Sequence, residues 1–299
     1  MPAFSHYVGR FAPTPSGYLH FGSLLTAVAS YLDAHHQHGR WLVRIEDLDT
    51  PRNIPGAAEH ILHTLQTYGL QWDGEVVRQS DRLARYQQAI DSWLDTGQAY
   101  YCDCSRREVL MHDGVYPGTC RQRRLPASPD HAVRLTVGAQ PTRFVDRLQG
   151  PVSHTLSSAS GDFIIRRRDG IIAYQLAVAL DDIAQGVTDI VRGADLLDST
   201  PRQLWIYQLL GQPAPRYLHL PLIMRHDGEK LSKRLGSAPL EADQAAATLF
   251  RALRILVPDL PTALRTATVT QQLAWAVPHW QPARLPATRQ ILDPSLAQR

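Results

Sequence analysis

Lysine is almost missing from this sequence. Of 31 basic residues only Lys230 and Lys233 are lysines, and the remaining 29 are arginines. Asparagine occurs once, as Asn53. A general bias toward arginine accounts for the scarcity. It does not account for both surviving lysines lying three residues apart, where a compact ammonium serves and a planar guanidinium does not. Charge of one sign is not in excess either: 31 basic against 28 acidic residues leave a formal +3, too mild to argue for nucleic acid by itself. The three cysteines, two of them in one Cys-x-Cys, do not make a disulfide framework, so a reducing, cytoplasmic setting is expected. No stretch approaches the ~18 apolar residues of a membrane span. The first residues lack the basic-then-apolar pattern of a leader. No membrane partner is therefore expected, and no repeat or low-complexity tract suggests a solenoid.

What is present reads as a globular α/β chain. Hydrophobic residues make up 44% and charged residues 20% of 299 residues, a length that suggests about two domains. The first hundred residues alternate strand and helix signals: a strand over 7–11, a helix over 23–36, a strand over 41–45, and helices over 56–68 and 82–96. That order predicts a parallel sheet flanked by helices. From 100 to 170 helix signals thin out, and short strands at 132–137, 143–145 and 163–167 suggest an inserted α+β subdomain. Alternation resumes over 171–240, with an apolar segment at 172–180, a strand at 189–192 and a helix at 201–210. Thr200 reads as the N-cap of that helix and Gln203 as the partner in its capping box. Residues 241–299 read as a short helical tail broken by prolines.

Three constellations carry chemistry. Arg10-Phe11-Ala12-Pro13-Thr14-Pro-Ser-Gly-Tyr-Leu-His20-Phe-Gly22-Ser23 joins a strand end, a rigid loop and a helix start. A helix N-terminus offers unpaired N–H groups and a positive dipole end to phosphates. Arg44-Ile-Glu46-Asp47-Leu-Asp49-Thr-Pro-Arg52 clusters charges just past a strand's C-terminal end, the edge where ligands bind in open α/β sheets. Lys230-Leu-Ser232-Lys233-Arg234 sets cations and a hydroxyl in one loop, suited to a leaving pyrophosphate.

In this order these motifs resemble the class I aminoacyl-tRNA synthetases in their glutamyl form. The first looks like the HIGH region and the third like the KMSKS loop. Tyr174-Gln-Leu-Ala, Asp181-Asp-Ile-Ala-Gln-Gly and Val191-Arg192-Gly continue the match over roughly residues 7–240. Two departures stand out: His-Phe-Gly-Ser replaces His-Ile-Gly-His, and Lys-Leu-Ser-Lys-Arg replaces Lys-Met-Ser-Lys-Ser. The resemblance implies a Rossmann-type catalytic domain of the HIGH superfamily, in two halves (1–99 and 171–240) around the insertion at 100–170. It implies an L-glutamate pocket lined by Arg10, Phe11, Ala12, Pro13, Thr14, Glu46, Tyr174 and Arg192. It implies ATP, with Mg²⁺, held by His20, Gly22, Ser23, Lys230, Ser232 and Lys233, of which His20, Lys230 and Lys233 would be catalytic. Charge logic agrees, because an amino acid with two carboxylates and one ammonium needs cations and one anion.

Only 65 residues follow Arg234. Full glutamyl enzymes carry a large anticodon-binding region there. The expectation is therefore the truncated branch of the family, a ligase that activates glutamate without tRNA and attaches it to the queuosine base at the wobble position of tRNA(Asp), acting as a monomer. The alternatives are a conventional enzyme charging a tRNA 3′ end and a catalytically silent RNA-binding paralogue.

Cys102-Asp-Cys104…Cys120 leaves a tetrahedral metal site one ligand short. By chemistry alone His112 is the first choice for the fourth ligand. The resemblance points instead to Tyr116, and to one structural zinc on Cys102, Cys104, Tyr116 and Cys120.

Overall fold

The computed structural model describes residues 6–224 and 240–292. The window with Lys230, Ser232 and Lys233 lies outside them.

Strand β1 (Val8–Phe11) leads through α1 (Phe21–His36) to β2 (Arg40–Ile45), and α2 (Ala57–Thr67) leads on to β3 (Val77–Arg78). The three strands are parallel in the order β1-β2-β3, with Val8 opposite Arg40 and Arg44 opposite Val77. Helix α3 (Leu83–Asp95) follows. Then come β4 (Ala99–Cys102), a single turn α4 (Arg106–Leu110), β5 (Ala132–Leu135), the hairpin β6 (Thr142–Asp146) and β7 (Gly150–His154), α5 (Leu156–Ala159) and β8 (Phe163–Arg166). Here the pairing is antiparallel, in the order β4-β5-β8, with β6-β7 as a separate hairpin. The chain returns through α6 (Tyr174–Ala184), β9 (Asp189–Gly193), α7 (Thr200–Leu209), β10 (Arg216–Leu220) and β11 (Leu222–Met224). Strands β9 and β10 are parallel, and Thr188 N–H donates to the Val8 carbonyl, so β9 lies beside β1. Helices α8 (Ala245–Leu256) and α9 (Val269–Ala276) follow, and β12 (Gln290–Leu292) pairs in parallel with β11.

The period-two alternation of β1 and β2 divides the interior. Phe11, Trp41, Val43 and Ile45 face a core filled by Leu24, Val28 and Leu32 of α1 and by Leu249, Phe250 and Leu253 of α8, with Trp280 behind them. A second core joins α3, α6 and α7 to the antiparallel sheet through Tyr86, Ile90, Val133, Phe163, Leu176 and Ile206. The opposite face of β1 and β2 carries Arg10 and Arg44, and it is buried too. The tail helices are part of the first core, which hydrophobic patterning of the tail alone did not indicate. Among the described residues no helix is long and apolar enough to cross a membrane.

Two local expectations change. Helix α1 starts at Phe21, two residues before the expected start, because His20 caps it. The capping box expected at Thr200 and Gln203 does not form. Ser199 is the N-cap and already has helical dihedrals, since a 3-10 segment over Ala194–Ser199 runs straight into α7. Both side chains turn instead to Arg192.

A buried cluster fastens the tail to α1. Asp33 accepts two hydrogen bonds from Arg147, at 2.6 and 2.9 Å, one from Trp280 Nε1 at 2.8 Å, and one from the Tyr7 hydroxyl. Burial alone would raise its carboxyl, but Arg147 and the other donors outweigh burial and hold it below the usual range. Asp33→Ala strands these donors and is expected to lower the unfolding free energy by about 3 kcal/mol. Urea denaturation measures this, and a decrease under about 1 kcal/mol, as for a surface pair, would contradict it.

Candidate active site

The β1-β2-β3 sheet and the β9-β10 pair meet where β9 lies beside β1, so the chain winds outward in opposite directions from that junction, and in open parallel sheets the crevice beyond the strand ends at such a point receives ligands. A cavity of about 610 Å³ opens there. It brings together every described residue expected to hold glutamate or ATP: Arg10, Phe11, Ala12, Pro13 and Thr14 from the end of β1, His20, Gly22 and Ser23 from the start of α1, and Glu46, Tyr174 and Arg192. Of the charged run after β2, Glu46 alone reaches it. Asp47 binds the backbone and hydroxyl of Ser80 at 2.8 and 2.7 Å, and Asp49 pairs with Arg52 at 2.6 Å.

Arg10 and Glu46, which line the cavity, belong to a chain of buried charges. Arg10 Nε donates to Asp182 at 3.1 Å. Arg44, fully buried, donates to the same carboxylate at 2.8 Å and to Glu46 at 3.3 Å. The neighbouring Asp181 accepts from Gln79 and Tyr86 at 2.8 Å and pairs with Arg82 at 2.7 Å. Burial opposes the charged form of Asp182, yet Arg10 and Arg44 hold its carboxyl below the usual range. Glu46 moves the other way: burial raises it, and Arg44 and Arg10 offset this only in part. Burial, and then Glu46, raise the hydroxyl of Tyr174.

Arg192 differs from Arg10 and Arg44. It is 4% exposed, and every acceptor it finds is neutral: His219 Nε2 at 3.0 Å, Gln203 Oε1 at 2.9 Å, Thr200 Oγ1 at 2.8 Å and the Leu196 carbonyl at 3.4 Å. Among the described residues no carboxylate pairs with it. The parallel register sets His219 of β10 directly beside it. Because Arg192 can only donate, His219 Nε2 must accept, which leaves the ring proton on Nδ1 for Asp146 at 2.6 Å. Burial first, and then Arg192, push His219 below its ordinary value despite Asp146, so the ring is neutral. Sequence patterning did not indicate Asp146 or His219; His219 meets Arg192 through strand register, and Asp146 reaches His219 from the β6-β7 hairpin.

His20 is fixed in a similar way. Its Nδ1 accepts from the Ser23 N–H at 3.2 Å, and Ser23 Oγ accepts from the His20 N–H at 2.8 Å, a capping box at the start of α1. The serine that replaces the second signature histidine thus orients the first. Burial lowers His20, and the proton of the neutral ring sits on Nε2. The far wall of the cavity is apolar and includes Ile255, Leu256, Leu285, Pro286 and Ile291 from the last sixty residues, none in a recognisable motif.

The cysteines form a separate cluster. The sulfurs of Cys102, Cys104 and Cys120 all lie within 4.8 Å of one another. Cys104 and Cys120 are 3.4 Å apart, and the Tyr116 hydroxyl is 3.4 Å from Cys102 and 3.7 Å from Cys104. Tetrahedral zinc, with Zn–S of about 2.3 Å and Zn–O of about 2.0 Å, needs ligand separations of about 3.5–3.8 Å, so the set fits. Arg134 donates to Cys102 at 3.2 Å and lies 3.7 Å over the Tyr116 ring, a positive charge suited to a metal–trithiolate that is net negative. His112 is exposed and has no place in the cluster.

Comparisons with known proteins agree with this geometry. Residues 7–114 and 119–251 match the family described as tRNA synthetases class I (E and Q), catalytic domain. The chain is 56% identical over 292 residues to the glutamyl-Q tRNA(Asp) synthetase of Ectopseudomonas mendocina, covering 97% of this chain and 98% of that one. It is 58% identical over 282 residues to the Pseudomonas aeruginosa protein of the same name, covering 94% and 96%. In fold it is similar to a solved glutamate tRNA ligase from Elizabethkingia meningosepticum, with a TM-score of 0.80 at 23% identity over 97% of this chain and 67% of that one. The parallel sheet with its switch-point cavity, the HIGH-type start of α1 and these likenesses lead to one conclusion: the chain belongs to the class I glutamyl and glutaminyl tRNA synthetase family, among the glutamyl-Q tRNA(Asp) synthetases.

Proposed function

We propose that the cavity activates L-glutamate with ATP, and that the glutamyl group is then transferred to the queuosine base at the wobble position of tRNA(Asp). The observation that carries this is Arg192, a buried cation lining the cavity with no carboxylate paired to it among the described residues. An unpaired buried charge costs several kcal/mol, and a carboxylate ligand would remove that cost. Arg10 supplies a second cation and Glu46 the one anion expected to face an ammonium, which suits an amino acid. Glutamine would leave Arg192 facing a neutral amide, and the site would reject it.

In the first step an oxygen of the α-carboxylate bonds to the α-phosphorus of ATP as the bond to pyrophosphate breaks. The chain's share is positioning and charge neutralisation. His20 Nε2–H and the N–H groups at the start of α1, with Gly22 close by, would donate to phosphate oxygens. Mg²⁺ would add charge neutralisation on the phosphates. Lys230, Ser232 and Lys233, outside the described residues, are assigned to the pyrophosphate by the motif alone. In the second step the glutamyl group passes to the queuosine base and AMP leaves. We assign a structural zinc to Cys102, Cys104, Tyr116 and Cys120, where it would bind β4 to the following loop.

Glutamate-dependent exchange between ATP and pyrophosphate should proceed without tRNA, and glutamate should then label tRNA(Asp) that carries queuosine. Labelling of the unmodified tRNA, or of tRNA(Glu) at its 3′ end, would refute the transfer step. Arg192→Gln should raise KM for glutamate by roughly 30-fold or more, the cost of removing one partner of a buried charge pair, with KM for ATP little changed. An unaltered glutamate KM would exclude Arg192 from the pocket. Metal analysis should find one zinc per chain in the purified protein and none in Cys120→Ser; a zinc-free wild type would remove the metal assignment.

A further inference from the structure

A second cavity, of about 690 Å³, lies between the cysteine-bearing segment and the start of α6. Five arginines line it, Arg106, Arg134, Arg167, Arg168 and Arg202, against a single carboxylate, Asp162. That carboxylate is already engaged by Arg121 and by the Tyr100 hydroxyl. Arg134 is occupied with Cys102 and the Asp162 carbonyl, Arg167 with Asp169 and Asp49, and Arg168 with the Asp103 carbonyl. Arg106 and Arg202 have no ion pair among the described residues, and Arg202 has only Ser199 Oγ, at 3.5 Å. Burial pushes the Arg202 guanidinium below its ordinary value, and Asp198 offsets this only in part. The cavity is therefore short of negative charge.

Its position ties it to the first site. Ala173 and Gln175 line this cavity, and Tyr174 between them lines the other, so one residue, about 3.8 Å of backbone, separates the two. Gln175 Oε1 accepts from Gln203 Nε2 at 2.9 Å, and Gln203 Oε1 accepts from Arg192 at 2.9 Å, a hydrogen-bonded bridge from one cavity to the other. A bare anion needs neither this volume nor the apolar wall of Val109, Phe163 and Ile164. A splayed-out nucleotide needs both, because its base packs on apolar groups and guanidinium planes while its phosphate meets the cations.

We propose that this cavity receives the RNA nucleotide adjoining the one that enters the glutamate cavity, with its phosphate held by Arg106 and Arg202. RNA as the occupant rests on the transfer reaction proposed above.

The test compares wild type, Arg106→Gln, Arg202→Gln and the double variant with queuosine-bearing tRNA(Asp) across a series of salt concentrations. The double variant should raise KM for the tRNA about tenfold or more, because two charge-assisted hydrogen bonds to phosphate are removed. It should also flatten the slope of log affinity against log salt by about 0.7 for each arginine that no longer neutralises a phosphate. Exchange of ATP with pyrophosphate should stay within twofold of wild type, which shows that the glutamate cavity is intact. Should Arg202→Gln abolish exchange, the exposed Arg106→Gln decides by itself. Transfer by the wild type together with an unchanged tRNA KM and salt slope in the variants would overturn the assignment of this cavity alone. Absence of transfer by the wild type would instead refute the reaction on which it rests.

Discussion

The carboxylate of Asp182 is the group on which the rest of the site depends. Two arginines, Arg10 from β1 and Arg44 from β2, turn away from the apolar core; without Asp182, Arg10 would be buried with no anion and Arg44 would keep only the longer contacts to Glu46 and Asp181. An unpaired guanidinium at that depth costs several kcal/mol. Asp182 accepts from both, and Asp181 beside it gathers Gln79, Arg82 and Tyr86. Helix α6 is therefore locked to the sheet and to α3 by charge as well as by packing. Because α6 is fixed, so is its first residue, Tyr174, at the rim of the cavity.

Against those compensated charges, Arg192 is the exception that gives the site its chemistry. Its holders are neutral, and each is held in turn: His219 by Asp146, Gln203 by Gln175, Thr200 by the Leu196 carbonyl. The guanidinium is oriented without being neutralised, and orientation before the ligand arrives is what makes a binding group effective. The same division recurs at His20, whose ring is turned by Ser23 while its second nitrogen is left for a ligand. In both cases the backbone supplies the placement, through strand register for Arg192 and through a helix cap for His20.

Distant parts of the chain close the site. The hairpin β6-β7 contributes Asp146, and the residues after α9 contribute Leu285, Pro286 and Ile291 to the apolar wall. Trp280 reaches Asp33 of α1, so the segment that supplies the wall is anchored in the same core as the HIGH-type helix. The sheet, the hairpin and the tail thus act as one scaffold around a single crevice.

The sequence by itself determined the parallel α/β architecture, because strand and helix periods are local properties of the chain. It also determined the run from Arg10 to Ser23, in which loop, cap and helix start are contiguous, and it marked Glu46, Tyr174 and Arg192 through their resemblance to a known family. It misassigned Thr200 and Gln203 as a cap, since a local pattern cannot show that a buried guanidinium nearby competes for the same oxygens. It carried no sign of Asp146, His219 or the apolar wall. Those residues lie tens to hundreds of positions from their partners and meet only through register and packing. Tertiary structure alone decided which of the buried arginines Arg10, Arg44 and Arg192 keeps its charge open for a ligand, because that depends on where the carboxylates of α6 fall: within reach of Arg10 and Arg44, and not paired with Arg192.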